Sequence, residues 1–313
     1  MARRRLALAL GSGSARGLAH IGVLKVLDRE GIRVDAISGT SIGALVGGAY
    51  AAGVSPSEME RIANSVEMED LIRLADIARP TTALVNGKRI EEFIRGVVGN
   101  QTFDDIGIPF CCVAVDITAE SAVILREGDL ASAIRASIST PVIFSPVERN
   151  GRILVDGAVL TPVPVDAARK LGADLVIAVT NLGLPASGVP SFSNSLEVAP
   201  VQTVRASDDG VANMVYSRVF NGVMDRLRSP SVVQLAFGSI DLMQRGLSER
   251  ELATADLVIA PQVDGAAYYS FLEADRVMKA GEAAAEAALP HINHLIEADD
   301  VRCLSQTEVP AKA

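Results

Sequence analysis

Apolar residues along this chain fall into short unbroken runs that alternate with stretches of helical spacing. Leu6–Leu10 leads through Gly11–Gly17 into Leu18–Leu27, and Val34–Ser38 leads through Gly39–Gly43 into a small-residue stretch ending at Ala52. Each unit predicts a strand, a tight turn and a helix, because about five apolar residues bounded by glycine suit a buried strand. Gly31 and Gly53 stand where the two helices should stop. Ser55-Pro56-Ser57-Glu58 reads as a helix start with proline near its first position, and helical spacing continues to about Ala78 and again from Lys88 to Val98. Pro109–Asp116 predicts a buried strand, with Ser121–Leu125 able to pair with it. Asp129 opens a helix through Ile138, and the prolines predict an extended passage over Pro141–Pro146. Arg152–Asp156 predicts a strand that runs into an Asp156-Gly157 turn, followed by a short helix over Pro164–Lys170 and a β-branched strand over Asp174–Thr180.

The texture changes after residue 180. Residues 181–209 are rich in Gly, Pro, Ser and Asn with little periodicity, which marks 181–228 as a candidate loop or lid. Within it Val211, Val215, Val219 and Val223 fall on one helical face, read as a core helix ahead of a lipid-facing one. Ser231–Phe237 and Asp256–Pro261 predict further strands, Glu273–Leu289 an alanine-rich closing helix, and 299–313 a disordered tail. No internal repeat is visible. Strands alternating with helices predict an α/β fold: a three-layer sandwich with a mainly parallel central sheet flanked by helices, as one domain over 1–298.

Composition narrows the function. The 313 residues carry a net charge of −9, which argues against nucleic acid as the main partner. No apolar run reaches the length of a membrane span. The three cysteines include the adjacent pair Cys111-Cys112 inside an apolar run, which is no disulfide framework and points to a reducing compartment. Arg3-Arg4-Arg5 before Leu6–Leu10 imitates a signal peptide, but the apolar part is short of the ~7–15 residues required and cleavage would remove the first strand. The expectation is a cytoplasmic chain. Its cysteine, histidine and acidic residues show no metal-ligand spacing.

The two glycine-rich turns carry the chemistry. Gly39-Thr40-Ser41-Ile42-Gly43 follows a strand and precedes a helix, the context of a nucleophile elbow. There the serine stands on a sharp turn, and Gly39 and Gly43 remove β-carbon clashes. The alternative is a helix start capped by Thr40 or Ser41. A serine hydroxyl needs a base. His20 falls on the first helix, where a packed role is commoner than a catalytic one. His291 and His294 have the chain order of a Ser–Asp–His triad but follow no strand end. Asp156 does follow one, and a desolvated carboxylate is a competent proton acceptor. Asp156-Gly157 could equally be an ordinary turn. Backbone N–H groups from Gly11, Ser12, Gly13, Ser14 and Ala15, at a helix start, could hold an oxyanion, with Arg16 adding charge nearby or pairing with a surface acid.

In their order, Gly11–Gly17, Gly39–Gly43 and Asp156-Gly157-Ala158 resemble the three motifs of the patatin-like phospholipase family, and the Pro109–Asp116 and Ala133–Pro146 passages are similar to its bacterial members. The likeness covers about residues 5–180. It implies a three-layer α/β fold, a Ser41–Asp156 dyad without a catalytic histidine, and hydrolysis of lipid acyl esters. No metal or organic cofactor is implied, and membrane-surface contact would be transient. Ser12 and Ser14 stand where the family's pattern has glycines, so a positive φ costs more there.

Three other readings stay open. An acyltransferase could use the same dyad, and a catalytically silent module could bind lipid or protein on this fold. A dinucleotide site could use Gly11 and Gly13 with Asp28 or Asp35, although the glycine spacing is one too long and no acid ends the second strand. Head group, acyl length and oligomeric state are not legible.

Overall fold

The computed structural model describes residues 3–74, 83, 85–182, 232–263 and 271–304. Its strands are β1 (Leu6–Leu10), β2 (Ala36–Thr40), β3 (Phe110–Asp116), β4 (Ser121–Leu125), β5 (Val147–Arg149), β6 (Arg152–Asp156), β7 (Leu175–Val179) and β8 (Leu257–Ile259). The helices are α1 (Ala19–Arg29), α2 (Ile42–Ala51), α3 (Pro56–Ser65), α4 (Met68–Leu74), α5 (Lys88–Val98), α6 (Leu130–Ser137), α7 (Val165–Lys170), α8 (Val232–Leu252) and α9 (Ala274–Leu304), with short 3-10 turns at Ser14–Leu18 and Gly157–Val159. The chain divides into two units, Met1–Leu184 with Gln244–Ala313, and Pro185–Met243. The sheet lies in the first; of the second, residues 232–243 are described, as the start of α8.

The strands form one sheet in the order β5-β6-β3-β2-β1-β7-β8, with β4 also paired to β3. Strands β3, β2, β1, β7 and β8 run parallel, and β4, β5 and β6 add antiparallel pairs at one side. Central β1 is buried on both faces, which is why it reads as an unbroken apolar run. Leu6, Leu8 and Leu10 meet residues of α1, α2, α6 and α9 on one face. Ala7 and Ala9 meet Val165 and Ala168 of α7 and Leu252 of α8 on the other. Small side chains on that second face let helices lie close, and the result is the expected three-layer arrangement with its central sheet flanked by helices.

Register in β3 positions the site. Strand β4 pairs with Cys112–Asp116, β2 with Phe110–Val113 and β6 with Ala114–Asp116. Because β4 overlaps both, β2 and β6 must share the opposite edge of β3, arriving from opposite directions. Thr40 pairs with Val113 and Asp156 pairs with the next residue, Ala114. The carboxyl ends of β2 and β6 therefore meet head to head.

Local signals set most boundaries. Ser55 accepts from the Glu58 N–H with Pro56 behind it, and Asp129 accepts from the Ser132 N–H, so both helices are capped as their sequences predict. Four passages differ from expectation. Strand β2 starts at Ala36 rather than Val34 and runs through Thr40. Residues 140–144 form a turn, not an extended passage: the Ile143 and Phe144 N–H groups both donate to Thr140 O. Pro141 has the φ that such a turn requires, so the proline that forbids a helix does not impose extension. The third difference is Ser231–Phe237, which is not a strand: helix α8 covers 232–252. Its β-branched start belongs to a longer segment whose inward residues, Gln244, Ser248 and Leu252, recur every four positions. Finally, α9 continues to Leu304, beyond Leu289, with Pro290 inside it and Ile292 fully buried. The expected helix over Val211–Leu227, and the expected loop from residue 183 onward, lie outside the described residues.

Candidate active site

Ser41 joins β2 to α2 with φ 56° and ψ −122°, a conformation that L-residues avoid. Close contacts hold it there. A β-carbon on Gly43 would lie 2.1 Å from the Leu10 carbonyl oxygen, and one on Gly39 would lie 2.5 Å from the Gly43 carbonyl oxygen. Neither position accepts a side chain without moving backbone. The Ser41 N–H donates to Ser137 Oγ at 3.0 Å, and Ser137 Oγ–H donates to Val113 O at 2.6 Å. Thr40 Oγ–H donates to Thr161 O at 2.9 Å. The elbow is thus tied to α6, to β3 and to the segment after β6.

Asp156 faces it. Ser41 Oγ–H donates to Asp156 Oδ2 at 2.8 Å. Thr140 Oγ–H donates to the same oxygen at 2.8 Å, and the Ala158 N–H donates to Oδ1 at 2.9 Å. The Asp156 N–H donates to Ser139 O at 3.0 Å. A β-carbon on Gly157 would sit 2.2 Å from the Val113 carbonyl oxygen, so this turn needs glycine against β3. Ser41 is 9% exposed and Asp156 3%. Burial raises the Asp156 carboxyl above the ordinary carboxylate range, and the Ala158, Ser41 and Thr140 hydrogen bonds pull it partway back. A hydroxyl donating to a desolvated carboxylate is the geometry of a serine whose proton has somewhere to go.

The first turn lies directly against the elbow, since the Leu10 and Gly11 carbonyls are what Gly43 abuts. Besides bonds within the 3-10 turn itself, the Gly11 N–H donates to Val179 O at 2.9 Å, that of Ser12 to Pro162 O at 2.8 Å, and that of Arg16 to Gly13 O at 3.2 Å. Among the described residues no hydrogen-bond acceptor meets the N–H groups of Gly13, Ser14 and Ala15. Gly13 has φ 144°, and Ser14 takes φ 51° despite its side chain. Arg16 is half-buried in the 3-10 turn that follows. Ser12 is buried, its Oγ 3.4 Å from Gln244 Oε1.

The histidines stand elsewhere. His291 and His294 are exposed on α9. His20 is fully buried, with Nε2 2.8 Å from the Gly11 carbonyl oxygen. Burial lowers it to about 4, so the ring is neutral at neutral pH and Nε2–H donates to Gly11 O. Asn181 lies 3.1 Å from the same nitrogen. A protonated Nε2 cannot accept, so the amide belongs with its oxygen toward the ring. His20 and Asn181 hold the first turn in place, while the hydrogen bonds of Ser41 go to Ser137 and Asp156. The acids of a dinucleotide site are also committed elsewhere: Asp28 accepts from the Tyr50 hydroxyl, and Asp35 from the Leu6 N–H and Arg3.

Sequence reading does not assign Ser137, Ser139, Thr140, Asn181 or Gln244 to the site. One signal was available: Ser137-Ile138-Ser139-Thr140 places three hydroxyls just before a proline, in a passage already similar to the family.

The family model for patatin-like phospholipase matches residues 8–169, a stretch that contains the first turn, the elbow and Asp156. The chain belongs to the patatin-like phospholipase family. An uncharacterised NTE family protein of Mycobacterium tuberculosis is 40% identical over 176 residues, 56% of this chain and 49% of that protein. A second from the same organism is 30% identical over 289 residues, 92% of this chain and 47% of that protein. Mouse patatin-like phospholipase domain-containing protein 6 is 33% identical over 196 residues, 61% of this chain and 14% of its own length. The matches thus span about half, or less, of these relatives. VipD from Legionella pneumophila aligns over 92% of this chain and 67% of its own at 15% identity, with a TM-score of 0.47.

Proposed function

We propose that this chain is a serine hydrolase of lipid acyl esters, with Ser41 as nucleophile and Asp156 as its base. The observation that carries the reading is the 2.8 Å hydrogen bond from a strained, buried serine to a buried carboxylate. Asp156 takes the Ser41 proton as Oγ attacks the ester carbonyl. The N–H groups of Gly13, Ser14 and Ala15 receive the oxyanion, with the adjacent helical turn adding its dipole. Collapse expels the alcohol, which leaves with the proton held by Asp156, and an acyl-enzyme remains. Water then enters and gives its proton to Asp156, and the acid is released with Ser41 restored. Lipid esters are the substrate class that family membership supports. No helix among the described residues is long and apolar enough to cross a membrane. On this reading, lipid is met by transient surface contact.

The test is turnover of a panel of lysophospholipids and short-chain esters. Ser41→Ala and Asp156→Asn should each lower kcat by at least about 1,000-fold. His291→Ala and His294→Ala should leave it unchanged. Loss of activity in either histidine variant, with folding intact, would overturn the two-residue mechanism.

A further inference from the structure

We propose that Thr140 is a positioning residue that keeps Asp156 charged and aimed at the reaction through both halves of the cycle. The inference rests on the Ser41–Asp156 reading and adds a third side chain to it.

Asp156 has three donors, and they are not equivalent. Ala158 supplies a backbone N–H to Oδ1, while Ser41 and Thr140 both supply hydroxyls to Oδ2, each at 2.8 Å. Oδ2 is therefore the oxygen that faces the nucleophile. Once Ser41 carries an acyl group it has no proton to donate. Thr140 is then the one described side chain still donating to Oδ2, when that oxygen must accept the proton of water. A carboxylate desolvated to 3% exposure needs such donors to stay ionised.

The fold fixes this hydroxyl. Thr140 N–H donates to Ile138 O at 2.7 Å, and Thr140 O accepts from Ile143 and Phe144. Pro141 follows it, and the branched β-carbon restricts χ1. The preceding Ser139 is buried and ties Arg135 Nη1 through its hydroxyl at 2.6 Å and the Asp156 N–H through its carbonyl. Arg135 in turn donates to the carbonyls of Asn86, Gly87 and Ser145. The groups facing the Asp156 carboxyl are thus Ser41, Thr140 and Ala158, all uncharged. Arg135 is the charged side chain next along this hydrogen-bonded chain, one residue removed. An acidic limb belonging to Asp156 is therefore set by burial and by these hydrogen bonds, and losing one of the bonds moves it.

The experiment measures the rate of Ser41 labelling by a fluorophosphonate probe against pH, which needs no knowledge of the natural substrate. Thr140→Val removes the hydroxyl at nearly constant volume, Thr140→Ala is a second variant should valine not fold at this half-exposed position, and Thr140→Ser restores the donor. The expected result is an acidic limb moved to higher pH by roughly one unit or more in the valine and alanine variants, and returned to the parent position in the serine variant. A limb that stays at the parent position in both Thr140→Val and Thr140→Ala overturns the assignment, whatever happens to the melting temperature. Asp156→Asn separates the two levels. If it abolishes labelling while the Thr140 variants leave the limb in place, this inference alone fails. If it leaves labelling unchanged, the dyad reading fails and this inference falls with it.

Discussion

Asp156 is placed where an ordinary surface aspartate would be more comfortable. Burial raises its carboxyl, so between the unfolded value and the folded one the native state holds a proton that the unfolded chain has released. Stability contributed at this position falls as pH rises through that window, so at neutral pH the buried carboxyl is a net cost to the fold. Asp156→Asn should therefore unfold at the same temperature as the parent or roughly 2–5 °C higher at pH 7, while losing activity. Differential scanning calorimetry checks this, and a melting point well below the parent would show that the carboxylate holds the site together. Residue identities were legible to different degrees for physical reasons. Ser41, Asp156 and the glycines announce themselves because strain and close backbone approach leave few residue types that fit. Ser137, Thr140 and Asn181 do not, because an inward-turned hydroxyl or amide makes its contacts across the fold, and serine and threonine are common in loops that do nothing. The same limit applied to the first turn: which N–H groups stay unpaired depends on Pro162 and Val179, far away in sequence.

At the scale of elements, the site exists because two strand ends abut along one edge of β3. Periodicity predicted β2, β3 and β6 but not that meeting, since pairing partners are not encoded in a run of apolar residues. The departures from the expected elements are local. Two valines after Ser231 suggested a strand, yet the 21-residue segment is helical, because inward positions spaced by four and a long run of helix formers outweigh a local β preference. Helix α8 also braces the first turn. Glu251 accepts the Val163 N–H at 2.8 Å, and the neighbouring Pro162 carbonyl holds the Ser12 N–H at 2.8 Å. Burial, with some help from Asp166, pushes Glu251 up to about 8, well above the ordinary glutamate value. The folded chain then retains this proton from about pH 5 to 8 while the unfolded chain does not, so stability should decline across that range. Glu251→Gln keeps an acceptor without the charge and should flatten the decline, as urea titrations at pH 5 and pH 8 would register. An unchanged slope would remove Glu251 as its source.

For the molecule as a whole, parallel β1 and β2 carry the first turn and the elbow at their carboxyl ends, and antiparallel β6 brings Asp156, far later in the chain, to meet them from the opposite direction. The class of fold was legible because strand, turn and helix alternate with clear punctuation, and the family because three motifs occur in order. Substrate was not legible, since head-group and acyl-chain recognition depend on surfaces that motifs do not describe. On the proposed mechanism, Ser41 is an activated nucleophile whose base is Asp156. The most direct test is fluorophosphonate labelling of the full chain, followed by peptide mapping. The expected result is covalent modification at Ser41 that is lost in Asp156→Asn and retained in His291→Ala and His294→Ala. A probe that modifies another residue, or that leaves Ser41 unmodified in the folded parent, would contradict it.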